Sequence, residues 1–143
     1  MLPILAAAIV MTAAPAPAPT GDINAAIWPA IWNDLELNGL IGNGNHLAWL
    51  WYNASQQDAQ PIPLHIQALD CKADAAGYRC AFTLLRDGGP RAYAGETAPD
   101  RIACTAQFVR KDDGWAVKHL PPRHGGHSRT DMRCDAAPAA GED

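Results

Sequence analysis

The sequence lacks the residue patterns that most catalytic and metal sites require. Only two serines occur, Ser55 and Ser128, and neither lies in the strand–turn–helix context of a GxSxG nucleophile. None of the four cysteines belongs to a CxxC pair, which excludes a zinc ribbon and a thioredoxin-type redox motif. The Gly-Asn-Gly of residues 42–44 has no lysine beside it and is not a phosphate loop. These absences favour a domain that is not an enzyme and uses no cofactor.

Basic charge is also scarce. The chain has 11 Lys and Arg against 15 Asp and Glu, a formal net charge of -4 at pH 7. This balance argues against nucleic acid or an anionic membrane surface as the main partner. The partner classes that remain are a protein, a peptide or a small molecule, and the sequence does not distinguish among them.

The first 20 residues contain no charged side chain. Residues 2–14 are apolar apart from Pro3 and Thr12, and an Ala-Pro alternation follows to residue 19. The apolar run is shorter than the roughly 20 residues that span a bilayer, but it has the length of a signal-peptide core. We therefore expect residues 1–20 to be a signal peptide and Ala/Pro leader, with no stable membrane span, on a periplasmic or secreted protein. The alternative is a disordered leader on a cytosolic protein.

All four cysteines lie in the later half of the chain, at Cys71, Cys80, Cys104 and Cys134. An even number of widely spaced cysteines behind an export signal is typical of disulfides. Four cysteines allow three pairings. The strand register described below places Cys71 opposite Cys80, so we predict that these two form one bridge and that Cys104 and Cys134 form the other.

The segment before the cysteines has the pattern of helices. Apolar residues recur at every fourth position in Ile23, Ile27, Ile31 and Leu35. Asp22 suits the first cap, and Asn38-Gly39 suits the end of this helix. Pro29 implies either a bend or a start near Trp28.

A second, shorter helix is predicted after Asn45, which suits an N-cap. Residues 47–54 keep helical spacing, although Leu47, Trp49 and Trp51 also fit a strand.

The later segment has the alternation of strands over residues 64–71, 78–85, 102–108 and 115–119. A turn over residues 74–77 sets Leu69 opposite Phe82. Residues 87–90 end the second strand, and a loose excursion follows to residue 100. We predict one α+β domain over residues 21–135, with one or two N-terminal helices packed on an antiparallel meander of about four strands. We expect residues 136–143 to be a disordered tail. This order of elements resembles cystatin-like and cone-shaped NTF2-like architectures.

Four of the five tryptophans fall within 24 residues, at Trp28, Trp32, Trp49 and Trp51. One interpretation is that they form the core under the sheet. The other is that some of them line a groove for a ligand, because Trp28 lies beside the Ile stripe rather than in it. We expect at least one to be partly exposed, at an edge between the first helix and the connector over residues 42–45.

A histidine cluster is the best candidate for metal chemistry. His119, His124 and His127 fall within nine residues and could bind a metal ion together with Asp131. The spacing matches no established pattern, and the alternative is a solvated polar loop.

The sequence contains only weak candidates for acid–base catalysis. Small cone folds host enzymes with an Asp or His in the open mouth of the sheet, and His65 or Asp70 could take that place. Unbroken alternation puts them on opposite faces of their strand. The leading expectation is a non-catalytic exported binding domain. The alternatives are a small cone-fold enzyme or ligand carrier with a pocket between helix and sheet, and metal capture by the three histidines.

Overall fold

The computed structural model describes residues 20–41, 44–122 and 129–137. Two helices come first, α1 at Thr20–Ile41 and α2 at His46–Ser55. The strands follow them as β1 Leu64–Asp74, β2 Gly77–Arg86, β3 Arg91–Tyr93, β4 Glu96–Ala98, β5 Arg101–Lys111, β6 Gly114–Val117, β7 His119–Leu120, β8 Arg129–Thr130 and β9 Arg133–Ala136. The predicted α+β class is confirmed. Residues 1–19 of the predicted leader and residues 138–143 of the predicted tail lie outside the described residues.

Helix α1 forms where the four-residue apolar repeat predicts it. Ile27, Ile31 and Leu35 are fully buried, and the helix seats this stripe on the sheet. The chain stays helical through Pro29, which lies on the exposed side. The alternative start near Trp28 is therefore wrong, since the helix begins at Thr20.

Helix α2 begins at the predicted cap. The Asn45 side-chain oxygen accepts a hydrogen bond from the Ala48 N–H at 3.2 Å, which satisfies one of the free N–H groups of the first turn. Ala48, Trp51 and Ala54 are buried at helical spacing. The strand alternative for residues 47–51 is therefore wrong.

The sheet is the predicted antiparallel meander, in the order β1-β2-β5-β6. Strand β9 pairs with β5 as well, antiparallel to it. Two small antiparallel strand pairs are separate from this sheet. In sequence, β3–β4 lies between β2 and β5, and β7–β8 lies between β6 and β9. The first of them lies in the segment predicted as a loose excursion.

Both predicted disulfides are present. Cys71 faces Cys80 across β1 and β2, and Cys104 faces Cys134 across β5 and β9. The second bridge spans 30 residues of sequence. A loop of that length is worth about 3 to 4 kcal/mol in the chain-entropy model.

A β-bulge in β1 changes one prediction. The pairing with β2 shifts between Gln67 and Asp70, so both Ala68 and Leu69 stand opposite Phe82. The extra residue inverts the alternation beyond it. His65 pairs with Leu85 and Asp70 with Ala81, two positions that share a face of β2. The prediction that His65 and Asp70 lie on opposite faces is therefore wrong, because one inserted residue returns them to the same face.

The core lies between the helices and one face of the sheet. Cys80, Phe82 and Leu84 of β2 are buried, as their alternation predicts. They pack with Ile102, Phe108, Val117 and Met132 against the Ile stripe of α1. The opposite, outer face of the β2–β5 pair presents exposed Ala81, Ala103 and Thr105.

Candidate recognition surface

An open groove runs between α1 and the β5–β6 hairpin. Its volume is about 490 Å³. Its apolar lining consists of Ala30, Leu37 and Leu40 from α1 and Trp115, Ala116 and Val117 from β6. We call it the α1–β6 groove.

The end of α1 beside this groove exposes large aliphatic side chains. Leu37 is 43% exposed, Leu40 82% and Ile41 58%. We call these three residues the apolar crest. They are three of the four large hydrophobic residues that are exposed in the described parts of the chain. They are exposed because the buried stripe through Ile27, Ile31 and Leu35 leaves these positions on the flank and back of the helix.

The charge around the groove is mainly acidic. Glu36 and Asp112 are exposed and line it, together with Lys111 and His119. The Asp34 carboxylate is buried and accepts a hydrogen bond from the Thr130 hydroxyl at 3.0 Å. Burial raises the pKa of Tyr52 in α2 above its ordinary value, and the nearby charge of Glu36 raises it further. Glu36 thus acts electrostatically on both α2 and the groove.

The four tryptophans that were predicted as binding residues have different surroundings. Trp51 is fully buried, and its indole N–H donates to the Asp100 carbonyl at 3.0 Å. Trp32 and Trp49 are half-buried. Trp28 is 47% exposed, so the expectation of at least one partly exposed tryptophan holds. A binding role for these residues stays a prediction.

Trp28 faces a second, smaller groove on the opposite flank of α1. Its volume is about 310 Å³, and Ile66, Ala68 and Leu69 of β1 form its floor. Ala68 has a positive φ of 54°, which few residues other than glycine adopt, and it lies in the bulge. The bulge therefore shapes this groove by turning β1 beneath Trp28.

An aromatic cluster holds the β3–β4 hairpin on α2. The His46 ring nitrogen Nε2 lies 2.9 and 3.0 Å from the two carboxylate oxygens of Glu96, and both side chains are exposed. The His46 ring stacks on Trp49, with ring centroids 5.4 Å apart, and Trp49 meets Tyr93 edge to face at the same separation. Each aromatic group here has a partner within the protein.

A shallow depression of about 440 Å³ lies at the edge where the sequence placed the recognition surface. Trp49, His46 and Gly44 line it, with Asn38 and Asn45. The amides are used within the fold, because Asn38 Nδ2 donates to the Asn45 carbonyl and Asn45 Nδ2 donates to the Met132 carbonyl. These hydrogen bonds connect α1 to the start of α2, and the start of α2 to the residue before β9.

Arg86 is a buried cation that sequence reasoning missed. Only 1% of it is exposed, and its guanidinium donates to the carbonyls of Trp51, Gly89 and Ala98 at 3.1 to 3.3 Å. Desolvation lowers the pKa of Arg86, and the charge of Asp100 opposes that effect. Its inward position follows from the alternation of β2, which also places Leu84 inside. The side chain fastens the segment over residues 87–100 to α2.

The acid–base candidates of β1 are not brought together. His65 Nε2 lies 3.0 Å from the Asp87 carboxylate, and both groups are about half exposed. Asp70 is exposed elsewhere on the same face of the sheet. An exposed pair of this kind contributes little to stability.

The histidine cluster is described only in part. His119 is exposed beside the α1–β6 groove, whereas His124 and His127 lie outside the described residues. The Asp131 carboxylate accepts from the Gln107 backbone N–H at 2.8 Å and pairs with Arg79 at 3.2 Å. No group of three His, Cys, Asp or Glu residues suited to a metal ion occurs within residues 20–41, 44–122 and 129–137. Metal capture by the histidines stays a prediction.

Among the described residues, no helix is both long and apolar enough to cross a membrane. Comparison of the chain with models of protein families, with curated proteins and with solved structures finds no match.

Proposed function

We propose that this protein is a non-catalytic exported domain that binds its partner through the apolar crest and the α1–β6 groove. The observation that carries the proposal is the clustering of Leu37, Leu40 and Ile41 next to the groove. Exposed apolar side chains that lie together, with a polar rim, are typical of interaction sites. The tryptophans of α2 serve the core and the β3–β4 hairpin instead.

The composition of the groove supports binding rather than catalysis. Half of its lining residues are apolar, and the buried carboxylate among the others, Asp34, accepts a hydrogen bond from the Thr130 hydroxyl. The remaining polar groups stand on exposed positions at the rim; they are Asn33, Glu36, Lys111, Asp112 and His119. Such a site can recognise an apolar surface with a few charges around it.

Two lines of reasoning support export. Two disulfides within one small domain fit an oxidising compartment. The uncharged first 20 residues fit a signal peptide. Fractionation of the native host should place the protein in the periplasm or the medium, shortened by about 13 to 20 residues. Full-length protein confined to the cytosol would contradict export.

A second candidate is the ligand carrier or enzyme of cone-like architecture. The observation that favours it is the position of the groove, between a helix and the sheet, with Trp115 and His119 beside it. A small molecule that binds there and shifts the NMR signals of both residues would favour this candidate over a polypeptide partner.

A neutral apolar dye tests the binding surface itself. Nile red fluorescence should rise on adding the purified protein. Leu37→Ser and Leu40→Ser should each lower that signal by about half or more, because they remove exposed apolar area. Trp28→Ser is the matched control, since Trp28 is 47% exposed, close to the 43% of Leu37, and lies on the opposite flank of α1. A signal that depends on Trp28 and not on the leucines would place the apolar site on the β1 side and contradict the proposal.

A further inference from the structure

We propose that the partner at the α1–β6 groove is an amphipathic helical segment of another polypeptide, apolar on one face and rich in Lys or Arg beside it. This inference rests on the proposed function, because it assigns a ligand class to the same site.

The shape of the groove suits a short helix. Its α1 wall extends from Ala30 to Leu40, which is about 15 Å along a helix axis and close to three turns. Ala30 and Ala116 are small, so they leave room between the larger Leu37 and Trp115. An amphipathic helix fills such a groove with side chains spaced three and four residues apart.

The charge of α1 favours a positively charged partner. The helix has no Lys or Arg, and its exposed acidic residue on the groove is Glu36. Its last turn therefore leaves the negative end of the helix dipole without a basic side chain, at the same place as the apolar crest. Lys111 and Asp112 are neighbours in the β5–β6 turn, and their charges offset each other locally. A basic partner would place a cation beside Glu36 and this end of α1.

The same charges argue against the other occupants of an apolar surface. A second copy of the chain would bring one acidic α1 against another, with a net charge of -4 on each molecule. An anionic membrane surface would be repelled in the same way. A basic polypeptide segment is the partner that complements both the apolar crest and Glu36.

The test uses three fluorescein-labelled peptides of about four helical turns. They share one leucine face and differ only in whether the polar positions hold Lys, Gln or Glu. Binding to the full chain is followed by fluorescence anisotropy. We expect the Lys peptide to bind tightest and the Glu peptide weakest. Leu40→Ser should lower the affinity for every peptide that binds by about tenfold, because each peptide would bury Leu40 of the protein.

A charge reversal tests the electrostatic part. Glu36→Lys should weaken the Lys peptide by about tenfold and strengthen the Glu peptide. Asp70→Lys makes the same change of charge on the exposed outer face of the sheet and should change neither affinity by more than about twofold.

The outcomes separate the two claims. If the three peptides bind equally and Leu40→Ser weakens them all, the groove is a binding site but the basic partner is wrong. If no peptide binds, or if binding ignores Leu40→Ser, the basic helical partner is wrong. The proposed function then depends on the dye experiment, whose failure overturns it separately.

Discussion

Two regions of this molecule use large apolar side chains in different ways. Around α2, Trp51 donates to the Asp100 carbonyl and Trp49 contacts both His46 and Tyr93. At the end of α1, Leu40 and Ile41 are exposed over more than half of their surface. The difference shows that aromatic side chains gathered in one segment of a sequence can make their contacts within the fold. What matters is whether the fold supplies partners for those side chains.

Removing Arg86 tests this comparison most strongly, because its guanidinium connects α2 to the segment over residues 87–100. Arg86→Met should lower the free energy of unfolding by about 3 kcal/mol, because three carbonyls, two of them buried, lose their donor. Arg91→Met is the control, since Arg91 pairs with exposed Asp58 at 3.0 Å, and should cost less than about 1 kcal/mol. Urea unfolding measures both. Equal losses would mean that Arg86 does not hold the region together.

Two leucines of α1, Leu35 and Leu37, test the second region of the comparison, which is the end of α1. Leu35 is fully buried, whereas Leu37, two residues later, is 43% exposed. Leu35→Ala should lower the free energy of unfolding by about 2 to 5 kcal/mol through loss of burial and the cavity left behind. Leu37→Ala should change it by less than about 1 kcal/mol. If Leu37→Ala proves as costly as Leu35→Ala, the crest is part of the core and is not available to a partner.

The smallest expected effect concerns the charge between the two regions. The pKa of Tyr52 is raised above 10.0, first by burial and then by Glu36. A raised pKa means that the stability contributed by neutral Tyr52 is complete below pH 10 and is lost as the pH rises through the folded-state value. Glu36→Gln should lower the pKa of Tyr52 only in part, because burial is the larger cause. NMR titration of the tyrosine ring measures it, with Asp113→Asn as the control, and an unchanged pKa would remove Glu36 from this account.

The sequence predicted the elements that depend on local pattern. The Ile stripe placed α1, Asn45 placed the start of α2, and the alternation around Cys71 and Cys80 set the register of β1 and β2. These features were predictable because helix and strand periods are written directly in the spacing of apolar residues. The two disulfides followed from that register.

The features that the sequence did not predict depend on tertiary contacts. The bulge at Ala68 and Leu69 carries no glycine or proline to mark it. The burial of Arg86 requires carbonyls from Trp51, Gly89 and Ala98, which only the fold brings together, and arginine is rarely buried otherwise.

The place of a recognition surface stays a prediction. The sequence pointed to an edge beside the connector after α1, and it named tryptophans there. The exposed residues at that end of α1 are the leucines and isoleucine of the apolar crest. A helical projection of α1 could have found them, since Leu37 and Leu40 fall outside the Ile stripe.

The most direct test of the account is a map of backbone amide signals by NMR as the Lys peptide is added to the protein. The account predicts shifts at Leu37–Ile41 and along the β5–β6 hairpin around Trp115, with little change at Trp49 and Tyr93. Shifts centred on Trp49 and Tyr93, with the apolar crest unaffected, would contradict it and return the binding surface to the aromatic region.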